Sequence, residues 1–106
     1  MNFNHLRVFY ESARELNFSR AAERLSISQP AVSIQIKQLE EMLQVKLFNK
    51  VGNKVFLSEA GKLLLEYAQR IFELENEAEQ AINEVKEVRK GALHIGTTKT
   101  YARYLM

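Results

Sequence analysis

Gln29, Pro30, Ser33, Ile34 and Lys37 fall on one side of a helix that begins near residue 29. Their chemistry is that of a reading surface. The Gln29 amide donates and accepts, the Ser33 hydroxyl does both, and the Lys37 ammonium can meet a phosphate. Ile34 is a poor residue to leave in water, but it suits a thymine methyl group, which apolar contacts can read in the DNA major groove. The same residues also admit a plainer account, a solvated face with Ile34 packed under a neighbouring element.

The elements around this face argue for the first account. Val32, Ile36, Leu39 and Leu43 recur at helical steps and form an apolar stripe on the opposite side. Ser28 can cap this helix, and Pro30 falls in its first turn, where no intrahelical N–H is needed. A shorter helix precedes it. Asn17 or Ser19 can cap that one, and Ala21, Ala22 and Leu25 give it a small apolar face that lets another helix approach closely. Ser26, Ile27 and Ser28 make the connecting turn, with Ile27 as a plug into the core. Two helices joined this tightly form a helix-turn-helix, whose second helix does the reading. Upstream, Asn4 can cap a first helix running to about Leu16. Its stripe is Leu6, Phe9, Tyr10, Ala13 and Leu16, and Phe3 precedes it as a hydrophobic staple. Three helices of this kind make a compact core.

From Val45 the pattern changes. Val45, Leu47 and Phe48 close the core, and NKVGNKVFLS then reads as a β-hairpin with Gly52–Asn53 at the turn. Lys50, Asn53 and Lys54 ring that turn. They fit either a wing lying along the DNA backbone or minor groove, or a surface hairpin with ordinary solubilising lysines.

Residues 58–90 lack proline and hold one glycine, Gly61, in the first turn. They predict one continuous helix of roughly 48 Å, capped by Ser58. Leu57, Leu64, Ile71, Ala78 and Val85 share one heptad phase; Ala60, Tyr67, Leu74, Ala81 and Val88 share the other. Phe72 and Ile82 flank the seam, and Ala78 and Ala81 permit close backbone approach. A seam this long needs a partner. A second copy of the chain is the simplest, and a larger neighbouring domain is the alternative. The expected dimerisation set is Leu64, Tyr67, Ile71, Leu74, Ala78, Ala81, Ile82 and Val85. Gly91 is expected to end the helix. After it Leu93 and Ile95 alternate with His94 and Gly96 as in a strand, and the tail TKTYARYLM is too short to bury anything alone. The expected organisation is therefore a DNA-binding unit over residues 1–57, a linker helix over 58–90, and over 91–106 a hinge and the start of a further domain.

The bulk composition agrees. The 106 residues suffice for one small domain plus an appendage, and no apolar run is long enough to span a membrane. No charged-then-apolar export signal opens the chain, so a cytoplasmic location is expected. The absence of cysteine excludes disulfides, thiol catalysis and thiolate metal sites. The net charge of +2 hides an asymmetry: residues 1–57 carry eight Lys and Arg against five acidic residues, and residues 58–90 carry five against eight. The basic excess thus lies in the half with the reading helix, as phosphate binding requires. Catalysis finds no support. His5 and His94, the two histidines, lie on different elements, and there is no phosphate-cradling glycine loop, metal-spaced cluster or nucleophile elbow. A module that binds only other proteins is the remaining rival.

The stretch AAERLSISQPAVSIQIKQLEEMLQVKLF, followed by LSEAG and then GALHIG, resembles the amino-terminal part of LysR-type transcriptional regulators over almost the whole chain. The resemblance implies a mainly α, winged helix-turn-helix fold and dimerisation through the linker helix. It implies a bacterial regulator that binds interrupted inverted repeats in double-stranded DNA, as a homodimer or, when full length, a tetramer. It further implies a carboxy-terminal domain of the periplasmic-binding-protein type that answers to a small-molecule inducer, with no cofactor in the part of the chain seen here. Positions matching Gln29, Pro30 and Ser33 contact DNA in the family. Ser19, Arg20, Ser28, Ile34, Lys37, Lys50, Asn53 and Lys54 complete the candidate DNA-binding set. The position matching Ile34 is often Arg or His in the family, and the wing often carries arginines where this chain has Lys50, Asn53 and Lys54. Lysine offers a point charge in place of a bidentate fork. Thr97 and Thr98 match a region that often lines the effector pocket.

Overall fold

The computed structural model describes the backbone of residues 1–92 and the side chains of residues 1–89. The elements run α1 (Phe3–Glu15), α2 (Phe18–Leu25), α3 (Gln29–Leu43), β1 (Phe48–Val51), β2 (Lys54–Leu57) and α4 (Glu59–Ala92). This is the expected fold: mainly α, with a three-helix core, an antiparallel hairpin and a long helix. Two compact units divide it, Met1–Arg70 and Ile71–Met106. The first takes in the opening turns of α4. Gly61 and Ala68 of those turns are both buried.

In the first unit each of α1, α2 and α3 packs on the other two. The core is Leu6, Val8, Phe9 and Ala13 of α1, Ala21 and Ala22 of α2, Val32, Ile36 and Leu39 of α3, and Leu47 and Phe48 beyond it. Phe48 ties the hairpin to the helices, its ring centroid 5.5 Å from that of Phe9 and 5.1 Å, edge-on, from that of Phe18. Arg24 of α2 and Glu15 of α1 pair at 2.7 Å. Ser12 is also buried, and among the described residues its hydroxyl finds no partner.

Several local expectations are corrected. Asn2, not Asn4, caps α1: its backbone is extended and its Oδ1 accepts from the N–H groups of Asn4 and His5. An N-cap serves donors two and three residues ahead, so Phe3 is the first helical residue and does not occupy the position before the cap that a staple uses. Leu16 does not join the α1 stripe. It adopts the left-handed conformation that ends the helix and is exposed. Val8 and Ser12 widen the buried face instead. Asn17, not Ser19, caps α2 by accepting from Arg20 N–H at 3.0 Å. Leu43 and Val45 are exposed because α3 ends at Leu43 and the chain turns away from the stripe. Leu57 lies in β2, so the heptad seam of α4 starts at Ala60. Gly91 does not end α4, which reaches Ala92; one glycine costs a helix only about 1 kcal/mol. The strand expected after it lies outside the described residues.

Helix ends carry unusual backbone. Leu16, Ser26 and Gln44 all have positive φ although none is glycine. At Ser26 and Gln44 the next residue closes a Schellman-type turn, with Ile27 N–H donating to Ala22 C=O and Val45 N–H to Glu40 C=O. In the hairpin, β1 and β2 pair with Phe48 opposite Leu57 and Val51 opposite Lys54. Gly52 alone takes positive φ, at the first central position, as a type II′ loop requires. Gly61 has a different reason to be glycine: a Cβ there would collide with the Leu47 carbonyl oxygen and lie 2.9 Å from Leu57 Cδ2.

These two strains have opposite consequences. Gln44→Gly removes the left-handed penalty of an L-residue and is expected to raise unfolding free energy by about 1 kcal/mol. Gly61→Ala overpacks the junction and is expected to lower it by about 1–3 kcal/mol. Urea titration at unchanged m-value reads both.

Candidate nucleic-acid interface

The reading helix is built for one exposed and one buried side. Ser28 Oγ accepts from Ala31 N–H at 3.2 Å, and Pro30 occupies the first turn. Val32, Ile36 and Leu39 then point inward, so helical periodicity leaves the other side outward. Gln29, Pro30 and Lys37 are exposed and Ser33 is half-buried. Ile34 is 57% exposed, which removes the account in which it packs beneath another element.

Within this face Gln29 Nε2 donates to Ser33 Oγ at 3.1 Å. The bond leaves the Gln29 amide oxygen free to accept and the Ser33 hydroxyl proton free to donate. Two neighbouring side chains thus present one acceptor and one donor in a set geometry, the kind of pair that base edges in the major groove can match.

Behind the face a cleft of about 430 Å³ separates α3 from the hairpin. Phe18, Ile36, Phe48 and Val55 line it with apolar surface, and Ser33, Ile34, Lys37, Glu40, Lys46 and Lys50 complete the lining. Strand alternation sends Lys50 to the same side of β1 as the buried Phe48, which is how it joins the α3 residues. Asn53 and Lys54 sit at the hairpin tip and do not line the cleft. Ser19 and Arg20 are exposed in the first turn of α2, and Ser28 is exposed at the start of α3. The structure therefore gathers Ser33, Ile34, Lys37 and Lys50 around one cleft and leaves the other candidates on surfaces of their own.

Two charged lining residues escaped the sequence reading, Lys46 and Glu40. Glu40 had a usable signal: Ser33, Lys37 and Glu40 follow at i, i+4 and i+7 on one helix face. Lys46 had none, since it lies in the irregular link between α3 and β1. Among the described residues there is no group of three or more His, Cys, Asp or Glu that could hold a metal ion, and no helix is long and apolar enough to cross a membrane.

On α4 the seam residues differ in exposure. Leu64, Ile71, Ala81 and Val85 are half-buried, Ala78 is exposed, and Tyr67, Leu74 and Ile82 are 51%, 63% and 59% exposed. The Arg70 guanidinium lies 5.1 Å from the Tyr67 ring centroid. Thr97 and Thr98 lie outside the described residues.

With this geometry in place, comparison with known proteins defines the class. Residues 3–62 match the model of the bacterial regulatory helix-turn-helix protein, lysR family, and the chain belongs to that family. A probable RuBisCO transcriptional regulator of Thalassiosira pseudonana is 45% identical over 101 residues, covering 95% of this chain and 33% of that protein. The chain thus spans about a third of the length of the curated relatives it matches. Among solved structures, the CbnR DNA-binding domain in complex with DNA superposes with a TM-score of 0.74 at 34% identity, over 81% of this chain and 99% of that one. The BenM DNA-binding domain with its catB site 1 DNA gives 0.70 at 32% identity, over 86% and 98%. The relatives are named as transcriptional regulators, not as enzymes.

Ser33→Ala is expected to cost about 1–3 kcal/mol of sequence-specific DNA affinity, through loss of a directed hydroxyl. Competition between specific and random duplexes measures it, and an unchanged ratio would remove Ser33 from base reading.

Proposed function

We propose that this chain is the DNA-binding and dimerisation part of a LysR-type transcriptional regulator that recognises specific sequences in double-stranded DNA. One observation carries the reading: α3 buries Val32, Ile36 and Leu39 completely while holding Gln29, Ser33, Ile34 and Lys37 outward on its front turns. That front enters the major groove, where Gln29 and Ser33 meet base edges and Ile34 meets a thymine methyl. Pro30 sets the approach of the first turn, and Ser19, Arg20 and Ser28 flank it at the phosphates. Lys37 and Lys50 neutralise phosphates beside the groove, and Asn53 and Lys54 carry the hairpin tip along the backbone or into the minor groove. The DNA complexes of the CbnR and BenM domains support this assignment by their likeness in fold and sequence.

Two copies pair through α4. Tyr67 and Leu74, one heptad apart, and Ile82 beside the seam expose large apolar surface, and a second α4 with Leu64, Ile71, Ala78, Ala81 and Val85 in register would cover it. The dyad then places two reading helices on an interrupted inverted repeat. A full-length protein of this type assembles as a tetramer in the cytoplasm, and a small-molecule inducer acts on it through a carboxy-terminal domain, in which Thr97 and Thr98 would face the effector.

Footprinting on sequence-selected DNA is expected to show two half-sites related by a dyad, with affinity falling steeply as salt rises. A single half-site would remove the dimer, and salt-independent retention would remove the phosphate contacts. Ile71→Asp places a charge in the seam and is expected to yield monomers in sedimentation equilibrium. An intact dimer would displace the seam from α4.

A further inference from the structure

We propose that Glu40 is a positioning residue for DNA binding: it holds the hairpin at a set distance from α3 without itself touching DNA. The inference rests on the regulator reading above. Glu40 is otherwise out of place. It lines the cleft with Lys37, Lys46 and Lys50, on a side of the molecule assigned to phosphate, where a carboxylate repels the DNA backbone.

Its hydrogen bonds explain its presence. Glu40 Oε2 accepts from Leu47 N–H at 2.8 Å and from Phe48 N–H at 3.3 Å. One oxygen thus fixes two successive amides where the chain leaves the turn after α3 and becomes β1. The same short segment is gripped from its other side. Ser58 N–H donates to Leu47 C=O at 2.9 Å, and Ser58 Oγ donates to Lys46 C=O at 2.6 Å. Ser58 Oγ also accepts from Gly61 N–H at 3.0 Å. Residues 46–48 are therefore clamped between the carboxyl half of α3 and the first turn of α4. Lys50 follows two residues on, and the tip with Asn53 and Lys54 lies just beyond. Any slack at Leu47 and Phe48 is passed to those DNA-facing groups through the rigid pairing of β1 with β2.

The positioning role makes a prediction of sign that a direct contact does not. Glu40→Gln keeps an acceptor and sheds the charge, so it should bind sequence-selected DNA at least as tightly as wild type. Glu40→Asp keeps the charge but shortens the reach, and Glu40→Ala removes the acceptor. Both should bind more weakly, Glu40→Ala by about tenfold with a salt slope shallower by about one. Combining Glu40→Ala with Lys54→Ala should cost little more than Glu40→Ala alone, whereas combining it with Ser33→Ala should cost the sum of the two. Glu40→Gln weakening binding as much as Glu40→Ala, or full additivity with Lys54→Ala, would overturn the proposal. Amide exchange without DNA supplies an independent arm. Leu47 and Phe48 should exchange faster in Glu40→Asp than in wild type or Glu40→Gln, and unchanged exchange would overturn the clamp. Failure of the wild-type chain to retain any DNA would instead count against the regulator reading, whatever the exchange data show.

Discussion

The candidate DNA-binding side of this molecule depends on how two residues of an extended segment, Leu47 and Phe48, are buried among helices. Burying side chains of this size stabilises by roughly 1.5–3 kcal/mol each. It also carries their backbone out of water in a stretch that belongs to no helix. An unpaired buried amide or carbonyl costs about as much as the burial gains. The fold meets that cost from both sides. Glu40 accepts the two N–H groups, and Ser58 donates to the carbonyls of Lys46 and Leu47. Phe48 can then pack against Phe9 and Phe18, and the hairpin becomes part of the same body as the three helices.

The second constraint is the two-sidedness of α3. A helix with Val32, Ile36 and Leu39 fully buried cannot rotate, so the directions of Gln29, Ser33, Ile34 and Lys37 are set by core packing and not by the residues themselves. The hydrogen bond from Gln29 to Ser33 then narrows the rotamers of the two side chains that carry directional chemistry. Rigidity of this kind lowers the entropy lost on binding. The left-handed residues at Ser26 and Gln44 belong to the same logic, since each ends a helix sharply enough for the next element to pack back on the core.

α4 faces a different problem. At 34 residues, or about 51 Å, it is longer than three-helix packing requires, and its seam holds large apolar side chains in contact with water. Such exposure on a regular heptad is the usual mark of an association surface. Its first turn is also where the clamp on residues 46–48 is anchored, through Ser58 and the close approach at Gly61.

Much of this was legible in the residues. The helical steps of Val32, Ile36 and Leu39 disclosed α3 and its outward face, the caps Ser28 and Asn17 marked helix starts, Gly52–Asn53 marked the hairpin, and the sevenfold repeat marked α4. These are local properties, carried by periodicity and by the backbone preferences of single residues. Other features depended on partners distant in the chain. The choice of Asn2 over Asn4 as cap, the exposure of Leu16, Leu43 and Val45, and the arrival of Lys46 in the same cleft as Lys50 follow from where elements end against one another. The role of Glu40 is the clearest case. In the sequence it is one more glutamate on a helix. Only packing brings its carboxylate to two amides seven and eight residues on, because hydrogen-bond satisfaction in a buried link is settled by the assembled fold and not by local spacing.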